Sequence, residues 1–144
     1  MTKKSMNTEF NKRPGSFTSE ATTRGIRVRV EARYSLSHSQ PQFKSWLFLY
    51  NVRITNESSH VVRLISRHWI IEDANGERED VRGPGVVGQQ PVLSPGESYE
   101  YSSGCPLTTP FGSMRGTYQM VTQDNDMFDV EIAPFTLSEP IQVH

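Results

Sequence analysis

Apolar and polar positions alternate strictly once the chain passes Gly25. In "IRVRVEARYS" the residues Ile26, Val28, Val30, Ala32 and Tyr34 share one face, and Arg27, Arg29, Glu31 and Arg33 share the other. That period of two predicts a strand with one face buried. After the polar, proline-containing "SLSHSQPQ", the segment "FKSWLFLYNVRIT" keeps the period through Trp46, Phe48, Tyr50, Val52 and Ile54. Leu47 and Leu49 make its second face apolar as well, which predicts a more central strand. "NESSH" turns the chain into "VVRLISRHWIIEDANG", where β-branched residues fall on both parities and the core face is left open. This segment ends at Asn75-Gly76, a turn signal.

"EREDV" reads as a short polar return strand, followed by the glycine loop "GPGVVG" (83–88) and then "PVLSPGESYEYSSG". Ser94-Pro95-Gly96-Glu97 has the chemistry of a type II turn, and Tyr99 and Tyr101 alternate in the strand after it. "CPLTTPFGS" is a loop, "MRGTYQMVTQ" a strand, "DND" a turn and "MFDVEIAPFTL" the last strand. About seven strands with no helical period predict an all-β antiparallel sandwich.

Length and composition narrow the reading. The 144 residues suit one domain with one core. Residues 1–19, rich in Ser, Thr, Asn and Lys, lack the apolar residues that would offset their ordering entropy, so a disordered tail is expected there and a folded domain over 20–144. The 15 Lys+Arg and 16 Asp+Glu balance, which gives no electrostatic case for nucleic acid or an anionic membrane. Charge is uneven within that total: Lys3, Lys4, Lys12 and Arg13 face only Glu9 in the tail, while the body is mildly acidic. No stretch is apolar enough to span a bilayer, and no signal-peptide core follows the basic start. Cys105 is the single cysteine, which excludes an internal disulfide and a Cys-rich zinc site and fits a reducing, cytoplasmic location.

Four signatures stand in order: "RHWII" (67–71), "VRGPGVVGQQPVLSPGE" (81–97), "YEYSSGCPL" (99–107), and "GSMRGTYQM" (112–120) with "FDVEIAPFTL" (128–137). Together they resemble the ApaG family over about residues 20–144. The resemblance implies a fibronectin type III-like (immunoglobulin-like) sandwich. It also implies small stand-alone bacterial proteins linked genetically to cobalt resistance and magnesium efflux. Similar domains are attached in eukaryotes to an F-box protein and a polymerase-delta-interacting protein. No enzymatic activity, cofactor or defined ligand comes with it, so a non-enzymatic interaction module with an unidentified protein partner is the expectation.

The chemistry-bearing residues fit that expectation unevenly. The G-x-G-x-x-G spacing of Gly83, Gly85 and Gly88 would mark a dinucleotide site only between a buried strand and a helix. Here polar "EREDVR" precedes it, and Pro91 and Pro95 follow. A looser alternative is an anion nest of loop amides beside Arg82, able to take pyrophosphate or a nucleotide. The other alternative is that these glycines supply positive φ or close approach while the chain crosses between sheets.

For a divalent cation, His38, His60, His68 and His144 lack ligand spacing. Asp124, Asp126 and Asp129 with Asn125 are the sharpest oxygen cluster, against the plainer reading of a hairpin turn. No catalytic residue is assigned: Cys105, Ser102 and Ser103 have no evident activating neighbour, and His68 reads as structural. The stripe Arg27, Arg29 and Arg33 could meet an acidic partner, and Trp46, Trp69, Tyr99 and Tyr101 could anchor an interface or fill the core. Sandwich edges also invite strand-to-strand homodimers.

Overall fold

The computed structural model describes residues 15–140. Their strands are β1 (Ser16–Thr23), β2 (Ile26–Tyr34), β3 (Trp46–Asn56), β4 (Val62–Asp73), β5 (Arg78–Pro84), β6 (Val92–Leu93), β7 (Ser98–Leu107), β8 (Phe111–Thr122) and β9 (Met127–Ser138). One sheet has the order β1-β2-β3-β7 and the other β5-β4-β8-β9, with β6 also paired to β4. Every pairing is antiparallel. The result is the all-β antiparallel sandwich that strand count implied, in the fibronectin type III-like form that the resemblance implied.

Alternation decides what is inside. Ile26, Val28, Val30 and Ala32 of β2 are buried, as are Phe48, Tyr50, Val52 and Ile54 of β3. Between Leu64 and Ser66 the ladder of β4 with β8 shifts register. Such a bulge inserts one residue and reverses which parity faces the core. Leu64 before it and Trp69 after it are therefore both buried, and Arg67 shares the parity of Trp69. This is why both parities of the segment read as apolar.

Trp69 centres the core, with its ring 5.5 Å from Tyr50, 6.0 Å from Phe135 and 6.3 Å from Tyr118. The Tyr118 and Tyr101 hydroxyls lie 2.5 Å apart and satisfy each other in the apolar interior. Burial pushes both phenols above their ordinary range.

Two strands were not expected. Residues 16–19 fall in β1 rather than in a disordered tail; residues 1–14 lie outside the described residues. Phe17, Ser19, Ala21 and Thr23 stand opposite Ala32, Val30, Val28 and Ile26. Polar contacts secure this strand where aliphatic burial is sparse: the Ser19 hydroxyl donates to the Ala133 carbonyl at 2.9 Å, and Glu131 N–H donates to the Thr23 hydroxyl at 3.0 Å. These bonds close one side of the sandwich by joining edge strands β1 and β9. The other side ends on β5 and β7. The second addition, β6, holds Val92 and Leu93 against Arg63 and Val62.

Candidate functional site

The glycine loop lies along the β5 edge and does not cross between sheets, which corrects that part of the reading. β5 pairs with β4 from Glu72 back to Ser66, and β6 resumes on Arg63 and Val62. Between them the chain makes a tight hairpin. Val86 N–H donates to the Gln89 carbonyl at 2.8 Å, and Gln89 N–H returns a 2.9 Å bond to Val86. Val87 and Gly88 at its tip have φ of 47° and 78°, the two positive values of a type I′ turn. The crossing to the other sheet comes later, at Ser94–Glu97, where Glu97 N–H bonds the Ser94 carbonyl and Gly96 has φ 89°.

Two glycines are required by specific neighbours. Gly85 has φ 59°, and a Cβ there would lie 2.2 Å from the Gln89 carbonyl oxygen. Gly83 has ordinary φ, but its Cβ would lie 2.9–3.1 Å from the guanidinium of Arg67. That guanidinium lies on the bare backbone of Gly83, and its Nη1 donates to the carbonyls of Pro84 and Gly85, each at 2.9 Å. The bulged Ile65 carbonyl accepts from Gly85 N–H at 2.8 Å and from Gln90 Nε2 at 2.9 Å. Arg63 in turn donates to Gln90 Oε1. The loop is thus braced from β4 by Arg63, Ile65 and Arg67. Pattern reading missed Arg67 because the bulge that turns it inward leaves no mark in the sequence.

For anion chemistry the arrangement is mixed. The amides of Gly85, Val86 and Gln89 are bonded to carbonyls, so a nest at this loop would rest on the tip amides of Val87 and Gly88. The surrounding cations are more available. Arg63, Arg67 and exposed Arg82 have no carboxylate within salt-bridge distance among the described residues. No helix follows the loop; strand β6 does.

The tip is also apolar. Val86 is buried while Val87 is 63% exposed. On the outer face of the same sheet, cross-strand register aligns Val92, Arg63, Val121 and Met127 in one row. Val92 and Met127 are both more than half exposed.

The remaining predicted residues disperse. Asp126 is held at 2.9 Å by Arg24, whose guanidinium sits 4.2 Å over the Phe128 ring. Asp129 lies across from Gln119, and Asp124 caps back onto the Thr122 hydroxyl. No group of three or more His, Cys, Asp or Glu among the described residues is placed to hold a metal ion. Asp124 and Asp126 thus sit in the β8–β9 hairpin turn, while Asp129 lies two residues into β9. His38 Nδ1 lies by the Ser35 and Ser37 hydroxyls, the His60 carbonyl accepts from Asn56, and His144 lies outside the described residues.

His68 faces outward and bonds Asp80 at 2.8 Å, and Arg78 grips the same carboxylate. The Arg78 bonds, reinforced by His68, hold Asp80 well below the usual carboxylate range. The stripe of Arg27 and Arg29 meets Glu20, and Arg27 also meets Glu57. Trp69 and Tyr101 are core residues, and Trp46 and Tyr99 pack partly buried against them. The Cys105 thiol is buried, and desolvation pushes it up to about 12, where little nucleophilic thiolate exists at neutral pH. Ser102 Oγ accepts from Asn51.

Known proteins carry the same framework. The chain is 55% identical over 122 residues to Protein ApaG of Anaeromyxobacter dehalogenans, which covers 85% of this chain and 96% of that one. It is 53% identical to Protein ApaG of Brucella canis over 85% and 94% of the two chains. The crystal structure of a Bordetella pertussis protein called ApaA matches with a TM-score of 0.79 at 51% identity, covering 81% of this chain and 95% of that chain. None of these names states an enzymatic activity. The ApaG domain model matches residues 36–122, a span that includes the braced glycine loop, and the chain belongs to the ApaG family.

Proposed function

We propose that this domain acts by binding, as a protein-interaction module whose contact surface is the rim of the glycine loop. The observation that carries the reading is Val87. A β-branched residue is held at positive φ, which costs about 1–3 kcal/mol, and its side chain is turned to solvent. Asn or Gly would fit that turn without strain, so this chain carries the apolar side chain at a local cost. Val92, Val121 and Met127 extend the surface, and Arg63 supplies a charge at its centre. A partner with an apolar patch flanked by a carboxylate complements it.

A role in cobalt resistance and magnesium efflux, as the family resemblance implies, would then run through the partner, in the cytoplasm. The test is a photoreactive residue at position 87 in living cells, with Val92→Asp as the comparison. Reproducible capture of one partner that Val92→Asp loses supports the reading; unchanged capture in Val92→Asp overturns it.

A second reading is favoured by the unneutralised arginines. Arg63 and Arg82 around Gly83, Gly85 and Gly88 could take a phosphate-bearing ligand such as pyrophosphate or a nucleotide, with the Val87 and Gly88 amides as donors. Calorimetry with pyrophosphate and ATP, followed by the amide signals of residues 82–89, separates the two. Signals unmoved at millimolar ligand would sink this second reading and leave the first standing.

A further inference from the structure

The sandwich treats its four edges differently. β1 and β9 cover each other through the Ser19 and Thr23 bonds. β5 carries Arg78, Glu79, Asp80 and Arg82, then kinks at Pro84 into the hairpin, the features by which proteins blunt an edge. β7 has none of these over most of its length. It pairs with β3 without a register shift from Ser98 to Leu107, and between Ser98 and Cys105 its one charged residue is Glu100.

The phase of the β7 ladder tells which backbone groups are free. Asn56 N–H donates to the Glu97 carbonyl. Leu47 is turned the other way, its N–H to the Ser39 hydroxyl and its carbonyl to Ser35 N–H. Antiparallel bonding alternates residue by residue, so Tyr99, Tyr101, Ser103 and Cys105 bond to β3. Ser98, Glu100, Ser102 and Gly104 then present N–H and C=O outward. Pro106 falls on this outward set, where a missing N–H costs β3 nothing.

We infer that β7 is a self-association edge and that its occupant is β7 of a second copy, antiparallel, with the two-fold axis through Ser102. This register pairs Glu100 with Gly104 reciprocally and Ser102 with its counterpart. It also sets Tyr101 against Ser103 and Tyr99 against Cys105, so the bulky first half of each strand meets the small second half of the other. Centring the axis on Glu100 would instead oppose two carboxylates and shorten the overlap. The inference does not depend on the glycine-loop reading, since β7 lies in the other sheet. One strand pair is a small interface, so a concentration-dependent dimer is expected, not a permanent one.

Sedimentation equilibrium of the full chain across a concentration series is the test, with three variants. Gly104→Glu places a carboxylate opposite Glu100 of the other copy and should weaken association about tenfold, less at high salt. Gly104→Lys at the same site should match or strengthen it. A Cβ at position 104 meets only ordinary contacts, 3.4 Å or more from Leu47, Leu49 and the Phe48 carbonyl, and the strand face there is exposed, so both variants are expected to keep the fold. Ser102→Cys should form disulfide-linked dimers on mild oxidation, because the register brings the two positions within disulfide reach. A monomer at every concentration, or equal association of the Glu and Lys variants, overturns the inference; a monomer that instead binds an extended peptide at β7 overturns the choice of occupant.

Discussion

The glycine loop and the turn at Thr122–Asp126 are both exposed, both short, and both sequence candidates for ligand binding, yet they use charge in opposite ways. In the aspartate turn the carboxylate of Asp126 is met by Arg24, far earlier in the chain, and that arginine is further held over Phe128. The fold thus brings a cation from outside to one carboxylate of this turn. In the glycine loop Arg67 is spent on backbone carbonyls, while Arg63 and Arg82 have no carboxylate within salt-bridge distance among the described residues. A cluster of like charges in sequence is therefore a poor guide to an open site. What matters is whether the fold brings up the opposite charge.

Substitutions can break or sharpen this contrast. The largest effect is expected for Gly85→Ala, which combines positive φ with a backbone clash and should destabilise by about 3 kcal/mol or more in chemical denaturation. Arg67→Ala removes two bonds to loop carbonyls and should cost about 2 kcal/mol. It should also broaden the amide signals of 84–89 while leaving 122–126 unchanged. Val87→Asn makes the favoured Asn-Gly turn and should stabilise by about 1 kcal/mol while weakening partner capture. A loss of stability there would refute the strain argument. Arg24→Ala should change stability by only about 0.5 kcal/mol, since the pair is half exposed, yet it frees Asp126. If magnesium gives no calorimetric signal with either the unaltered chain or this variant, the aspartate turn is a structural device even when unpaired.

Much of the architecture could be read from alternation because one buried face per strand leaves a period of two. β2 and β3 are the clearest cases, with every inward apolar residue assigned from pattern; buried Asn56 at the end of β3 was read as turn. β4 resisted because a single bulge at Leu64/Ser66 exchanges its faces, and bulges carry no reliable composition. β1 was misread because its inward row of Phe17, Ser19, Ala21 and Thr23 is only weakly apolar; its pairing rests on backbone bonds and on hydroxyls meeting β9. At the candidate site, the turn chemistry of the glycines was legible, and so was the lack of a following helix. Arg67, Glu20 and Arg24 took their roles from contacts with residues remote in sequence or on neighbouring strands, which no local pattern encodes.

The seam between β1 and β9 has a consequence for how the molecule comes into being. It ties the first described strand to the last, through Ser19 with Ala133 and Thr23 with Glu131. During synthesis the β1–β2 hairpin, joined by the two-residue Arg24-Gly25 turn with both φ positive, can form as soon as it emerges. Its outer edge then stays uncovered until β9 has been made, because among the described residues β9 brings the groups that cover it. Closure of the seam thus waits for β9, and a chain halted between β1 and β9 is the form most exposed to wrong strand pairing.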